Sequence, residues 1–160
     1  MKKLLVGLIC LATIALPTIA YAFMLDKVGM LSMEYDLGLQ SDSAWLLGLY
    51  AGKKQLDIPT EVGLVIAGGG AGDKVLGEIA GCFKAEISNF EAGIEAGMVV
   101  YPEFGFVGKA LFGFEWEYDE YKYLYLTGIK AEVKTGLAVR YVGKWHLGIP
   151  IVIRIGILFW

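Results

Sequence analysis

The C-terminal stretch LGIPIVIRIGILFW, residues 147–160, decides the fold class of this chain. Large apolar side chains alternate there with a second row that contains glycine, proline and Arg154. Because successive side chains of a β-strand point to opposite faces, this order predicts a strand with one continuous apolar face. That face consists of Leu147, Ile149, Ile151, Ile153, Ile155, Ile157 and Phe159. Such a continuous apolar face is typical of a strand that crosses a membrane.

Alternation of the same period recurs along the chain and predicts an all-β protein. The further segments are residues 28–39, 44–52, 58–67, 74–87, 90–100, 106–118 and 129–142. Short connections with turn chemistry separate them, as expected for an antiparallel meander. The glycine-rich run at residues 68–72 lacks the Lys-Ser/Thr of a phosphate-binding loop, and we predict a flexible loop there.

The first residues predict an export signal. Met1-Lys2-Lys3 is a basic start, residues 4–19 are apolar or small, and Ala20-Tyr21-Ala22 fits the small-x-small pattern of a cleavage site. The alternative is an uncleaved membrane anchor, because about 20 apolar residues suffice to span a bilayer. With residues 1–22 assigned to the signal, residues 23–160 are predicted to form a single domain.

The strand count follows from the length of the predicted domain. Membrane strands need about 9 to 11 residues each, so the 138 residues left from 160 after removal of 22 supply eight strands with short connections. Residues 121–142 are long for one strand and short for two. Single-chain bacterial barrels usually have an even number of strands, so we predict eight, with residues 121–126 extending beyond the membrane.

Charge and cysteine content exclude several functions. The domain keeps all 17 acidic residues but loses Lys2 and Lys3 from the 14 basic ones, so it is acidic and a poor partner for nucleic acid. Only Cys82 remains after cleavage, so no intramolecular disulfide is possible, and we interpret it as a packing residue. With one cysteine and one histidine, we predict no metal site of the usual His and Cys spacing and no cofactor.

Two architectures place a polar row behind each apolar row. In a soluble barrel the apolar row faces inward, whereas in a membrane barrel it faces lipid. The polar rows here consist mainly of glycine and glutamate, and the domain has one asparagine and two glutamines, which is unlike a soluble surface. Aromatic residues crowd toward the segment ends, as in the belts at membrane interfaces. We therefore predict an antiparallel up-and-down transmembrane β-barrel.

An eight-stranded barrel is filled by its own side chains, so charged residues of the inner rows must pair. These rows are acidic early in the chain and more basic late, and closure would bring Glu34 and Asp36 near Arg154. We predict a structural ion-pair network inside the barrel; the alternative is a soluble protein's solvated charged face. The predicted members are Glu34, Asp36, Glu61, Glu78, Glu91, Glu95, Lys109, Glu115, Glu117, Lys130, Glu132, Lys134, Arg140 and Arg154.

With its export signal, its meander over residues 25–160 and its ending Ile157-Leu158-Phe159-Trp160, the chain resembles the small outer-membrane β-barrels of diderm bacteria. The resemblance implies location in the bacterial outer membrane with the lipid bilayer as surroundings. It also implies recognition of Phe159 and Trp160 by the outer-membrane assembly machinery. The resemblance is to an architecture, and no residue motif of a particular family accompanies it.

Three functional interpretations follow. The first is a non-enzymatic barrel with an envelope-structural or surface-interaction role. The second is an exported barrel that binds or transports a small apolar ligand through a gap at Gly93, Gly97 or Gly113. The third is a lipid-modifying enzyme that uses His146 with a serine, as some outer-membrane enzymes do. We favour the first and predict no catalytic residues.

Overall fold

The computed structural model describes residues 27–39, 42–54, 59–101, 103–118 and 126–159. The predicted export signal, residues 1–22, lies outside the described residues, as do Trp160 and residues 121–125 of the predicted extension. Within the described part of the chain, no helix has the length and hydrophobicity needed to cross a membrane.

Strands account for nearly all of the described chain. In order they are β1 (Lys27–Gly38), β2 (Ala44–Lys54), β3 (Thr60–Ala71), β4 (Lys74–Ile87), β5 (Phe90–Tyr101), β6 (Gly105–Tyr118), β7 (Leu126–Val142) and β8 (Lys144–Phe159). Each strand pairs antiparallel with its neighbours in sequence, and β8 pairs with β1 to close the barrel. The predicted fold, an all-β barrel of eight strands in meander order, is confirmed. We call the end at which β1 ends the upper end, and the opposite end, where Lys27 pairs with Phe159, the lower end.

The closure of the barrel fixes its dimensions. Following the paired residue from each strand to the next, from Met30 on β1 through β2 to β7, leads to His146 on β8. The direct partner of Met30 on β8 is Gly156, so the strands close with a stagger of ten residues. The intermediate partners are Tyr50, Val65, Ala80, Gly97, Val107 and Arg140. For a strand rise of about 3.3 Å and a spacing of about 4.8 Å, this stagger corresponds to a tilt of about 41° and a backbone radius of about 8 Å. The barrel is therefore narrow and strongly tilted.

The glycine-rich run is part of a strand, so the prediction of a flexible loop at residues 68–72 is wrong. Gly68, Gly69, Gly70 and Ala71 pair with β2, and only Gly72 and Asp73 form the turn to β4. Trp45 explains why glycine is tolerated in this strand. A Cβ atom on Gly70 would lie 3.1 Å from Nε1 of the Trp45 indole, so the ring covers the place of the missing side chain.

The segment at residues 121–142 is long for one strand and short for two, and its described part forms one strand. Leu126–Val142 is a single strand of 17 residues, paired with β6 along one edge and β8 along the other. A register shift at its lower end, between Leu126 and Gly128, separates the regular ladder from the first residues of the strand. This one long strand keeps the count at eight.

The barrel is apolar outside and charged inside. Large apolar side chains are exposed on every strand, for example Leu31, Leu47, Val62, Phe83, Ile94, Phe112, Leu137 and Ile153. The opposite rows are buried and carry most of the charged residues, as period-two alternation in a closed sheet requires. An apolar cluster that includes Val28, Leu46, Tyr50, Val65, Leu76 and Val99 fills the rest of the interior.

Candidate functional site: a buried ion-pair network

The fourteen predicted network residues all lie on inner rows of strands β1 and β3 to β8. Thirteen of them are buried, and the Glu117 side chain retains 24% exposure at the lower end. Ion pairs within 4.0 Å connect all fourteen into one network, which also includes Lys54, Lys84 and Glu86. The structure therefore brings the whole predicted set together.

The upper part of the network centres on Arg140 of β7 and Lys109 of β6. The Arg140 guanidinium pairs with three carboxylates: Glu34 at 2.7 Å, Asp36 and Glu78. The Lys109 ammonium lies 2.6 Å from Glu34 and 3.0 Å from Glu78. Two cations thus hold three carboxylates at this end.

The middle of the network centres on Arg154 of β8, which is fully buried. Its guanidinium pairs with Glu95, donates a hydrogen bond of 3.1 Å from Nε to Ser32 Oγ, and lies 3.8 Å from Glu132. It also stacks on Tyr50, with Cζ 4.7 Å from the ring centroid. These contacts compensate the charge of a cation that would otherwise be very costly to bury, although its Nη1 atom has no hydrogen-bond partner among the described residues.

Tyr50 and Lys84 link the middle to the lower end. The Lys84 ammonium lies 4.9 Å from the Tyr50 ring centroid, so the ring contacts two cations, Lys84 and Arg154. The Tyr50 hydroxyl donates to Glu61, and Lys84 lies 2.5 Å from Glu132 and 2.9 Å from Glu61. The tyrosine is therefore an integral part of the polar interior.

The lower part of the network surrounds Lys130 of β7. Its ammonium lies 2.7 Å from Glu61, 2.8 Å from Glu115 and 3.4 Å from Glu132. These three carboxylates offer oxygens within 4.8 Å of one another, a spacing that could suit a metal ion. Because the Lys130 ammonium already contacts all three, we assign the charge-neutralising role to this lysine and infer no metal.

Two aspects of the network differ from the sequence analysis. Arg154 makes no ion pair with Glu34 or Asp36 among the described contacts, which corrects the expectation that closure brings these carboxylates near it. In the register of β1 and β8, Arg154 faces Ser32, whereas Glu34 faces Val152 and Asp36 faces Pro150. The interaction partners of Glu34 and Asp36 come instead from β7 and β6, which lie two and three strands away from β1 around the barrel.

Three charged members of the network are missing from the predicted set of fourteen. The alternation in residues 74–87 predicts Lys84 and Glu86 on the inner row with Glu78, where the structure has them, but the set does not include them. Lys54 lies two residues beyond the predicted end of the second strand, which ends at Lys54 in the structure. Its ammonium contacts Glu86 at 3.0 Å and Glu115 at 3.2 Å.

The described interior contains no gap for a ligand at the glycines considered above. A Cβ atom on Gly93 would lie 2.5 Å from the backbone oxygen of Phe83, and Gly97 and Gly113 approach the backbones of Ile79 and Val133 more closely still. The space beside Gly93, bounded by Cys82, Lys84 and Glu91 among others, does not admit a water molecule. These glycines let neighbouring strands and long charged side chains fit.

His146 lies at the upper end of the barrel, near the start of β8. It pairs with Arg140 in the strand ladder and is partly exposed. Three serines are described. Ser88 lies in the turn at the opposite end of the barrel, and Ser32 accepts the hydrogen bond from Arg154. Ser43 directly precedes β2 at the same end as His146, but no hydrogen bond joins the two among the described contacts.

Comparison of the chain with protein-family models, curated proteins and solved structures finds no match. The inferences that follow therefore rest on this chain's own fold and side chains.

Proposed function

We propose that this chain is a non-enzymatic integral β-barrel of the bacterial outer membrane with an envelope-structural role. The observation that carries the proposal is the exposure of large apolar side chains on all eight strands of a barrel whose interior is charged. Soluble monomers rarely expose apolar patches larger than a few hundred Å². In a bilayer the same surface faces hydrocarbon, and the charges remain inside the protein.

The dimensions of the apolar surface match a bilayer. On β8 the outward row runs from Trp145 to Ile157 without a charged residue. Twelve steps of about 3.3 Å, inclined by about 41°, span about 30 Å along the barrel axis, close to the thickness of the hydrocarbon core. The outward row of β6, from Phe106 to Tyr118, has the same length.

Exposed aromatic residues occur near both ends of this surface, as expected of interfacial belts. The upper group comprises Trp45, Tyr101, Phe104, Phe106 and Trp145, and the lower group comprises Phe90, Phe114, Trp116 and Tyr118. Among the residues whose side chains the structure describes, the lower group lies on β5 and β6, where Phe90 and Phe114 meet edge to face at 6.0 Å.

The filled interior and the short turns favour a structural role over transport. The network occupies the barrel from Glu117 to Arg140, and turns such as Gly72-Asp73 and Ser88-Asn89 offer little surface to a partner. We also propose that the outer-membrane assembly machinery recognises the chain through Phe159, the last residue of β8, and Trp160.

Location and closure can be tested together. The complete chain is expressed in a diderm host, the envelope is fractionated, and the fractions undergo electrophoresis with and without boiling. We expect an outer-membrane band whose mobility changes on boiling, because a closed barrel resists detergent until heated. A periplasmic band that does not shift would overturn the membrane assignment.

The role needs separate measurements. In planar bilayers the purified barrel should show no steady open-channel conductance, because its interior is filled. Deletion of the gene in its natural host should increase sensitivity to detergents and bile salts. An unchanged permeability barrier would overturn the structural role and leave the location intact.

A further inference from the structure

The carboxylates at the upper end outnumber the cations that contact them. Glu34, Asp36 and Glu78 converge on Arg140 and Lys109, and all five residues are at most 6% exposed. If all five were ionised, the group would carry a net negative charge in a region from which water is nearly excluded. Burial without full compensation strongly disfavours that state.

Among the described residues, the other cations at the upper end, Lys74 of β4 and Lys144 of β8, are exposed and make no ion pair with these carboxylates. β5 contributes Glu95, a fourth carboxylate, 3.8 Å from Lys109 and also paired with Arg154. From β2 and β3 the nearest inner positions are apolar or glycine, and β8 presents Gly148 and Pro150 opposite β1. His146 of β8 pairs in the ladder with Arg140 and is partly exposed.

Asp36 provides a second, independent observation. Its side chain is 5% exposed, and its Oδ1 atom has no hydrogen-bond partner among the described residues, whereas Oδ2 pairs with Arg140. Buried carboxylate oxygens of Glu91, Glu95, Glu115 and Glu132 also lack a hydrogen-bond partner in this interior, and among the described orphan oxygens that of Asp36 is the one in the group of three. A carboxyl proton removes the cost of its unpaired negative charge. Carboxylates that share a confined site commonly hold a proton between them.

We propose that Glu34, Asp36 and Glu78 form a buried proton-binding site, in which the three carboxylates share one proton in the folded barrel at neutral pH. Deprotonation leaves one excess negative charge inside the upper end, so rising pH destabilises this end of the barrel. The site goes beyond the structural role proposed above and depends only on the closed barrel, which can be studied in detergent micelles.

The test detects the proton directly by infrared spectroscopy of the folded protein at pH 7. The C=O stretch of a protonated carboxyl, identified by its shift in D₂O, should lose the intensity of one carboxyl in Glu78→Gln. Asp36→Asn should lose the same intensity, because two carboxylates then match two cations. Glu103→Gln, which removes an exposed carboxylate at the upper end and leaves the three buried ones in place, is the control and should retain it.

Proton uptake on folding provides the second measurement. Unfolded glutamates and aspartates are ionised at pH 7, so the natural chain should take up one proton more than Glu78→Gln on refolding into micelles. An equal carboxyl band in the natural chain and in both variants, or no proton uptake by the natural chain, would overturn the proposal. Since uptake by the natural chain needs no variant, a variant that fails to fold leaves the test intact.

Discussion

Replacing Arg154 with methionine should destabilise the folded barrel by about 3–5 kcal/mol, the usual cost of removing one partner from a buried ion pair. The loss of stability comes mainly from the Glu95 carboxylate, which is 1% exposed. Without Arg154, its one remaining cation among the described residues is the Lys109 ammonium, at 3.8 Å. Glu132 should contribute little, because Lys84 and other lysines still contact it. Methionine keeps most of the side-chain volume, so the loss reports on charge rather than on a cavity.

The assay is equilibrium urea unfolding of the purified barrel in micelles, with the free energy of unfolding obtained by linear extrapolation. Lys144→Met, which removes a cation from an exposed position, is the control and should change the free energy by less than about 0.5 kcal/mol. The double variant Arg154→Met with Glu95→Gln should recover most of the loss, because it leaves no uncompensated charge. A single variant that costs less than about 1 kcal/mol, or a double variant that is less stable than the single one, would refute the reasoning.

Three further predictions test the outer face, the packing and the chemistry. Ile151→Arg, at the middle of the outward row of β8, should destabilise the barrel in lipid vesicles by about 2–4 kcal/mol as measured by urea unfolding; no loss would contradict a lipid-facing surface. Gly148→Ala should cost about 1–3 kcal/mol in the same assay, because the added methyl group meets the Asp36 carboxylate, whereas Gly108→Ala, with open space around it, should be neutral. His146→Ala should leave the acyl-chain composition of outer-membrane lipids in overexpressing cells the same as with the natural chain; a difference would support a lipid-modifying enzyme.

The fold was predictable because its main determinant is local. Alternation with period two assigns each residue to a face, and the assignment holds even where the strand limits shift. Lys54, for example, extends β2 beyond the predicted end at Gly52. The wrong prediction of a loop at Gly68–Gly70 arose from composition rather than from alternation, because glycine favours loops. The strand persists there because it pairs with β2, whose Trp45 ring covers Gly70.

The membership of the network was accessible from the sequence for the same reason, but the pairing was not. Each inner charged residue can be recognised from its row, whereas its partner depends on the register of all eight strands and on the ten-residue stagger with which they close. The expected contact between Arg154 and Asp36 assumed that partners lie on adjacent strands at the same level. In the structure that position opposite Arg154 is occupied by Ser32.

The narrowness of the barrel explains why adjacency is a poor guide to pairing. With a backbone radius of about 8 Å, an inward lysine or arginine side chain reaches the axis and meets carboxylates from the opposite wall. Lys130 of β7 thus pairs with Glu61 of β3, and Lys54 of β2 pairs with Glu115 of β6, in each case four strands away around the barrel. Such contacts require small residues beside the long ones, which is the role of the inner glycines, and they join strands that share no backbone hydrogen bonds. The network therefore braces the barrel across its interior, where a soluble barrel would rely on an apolar core.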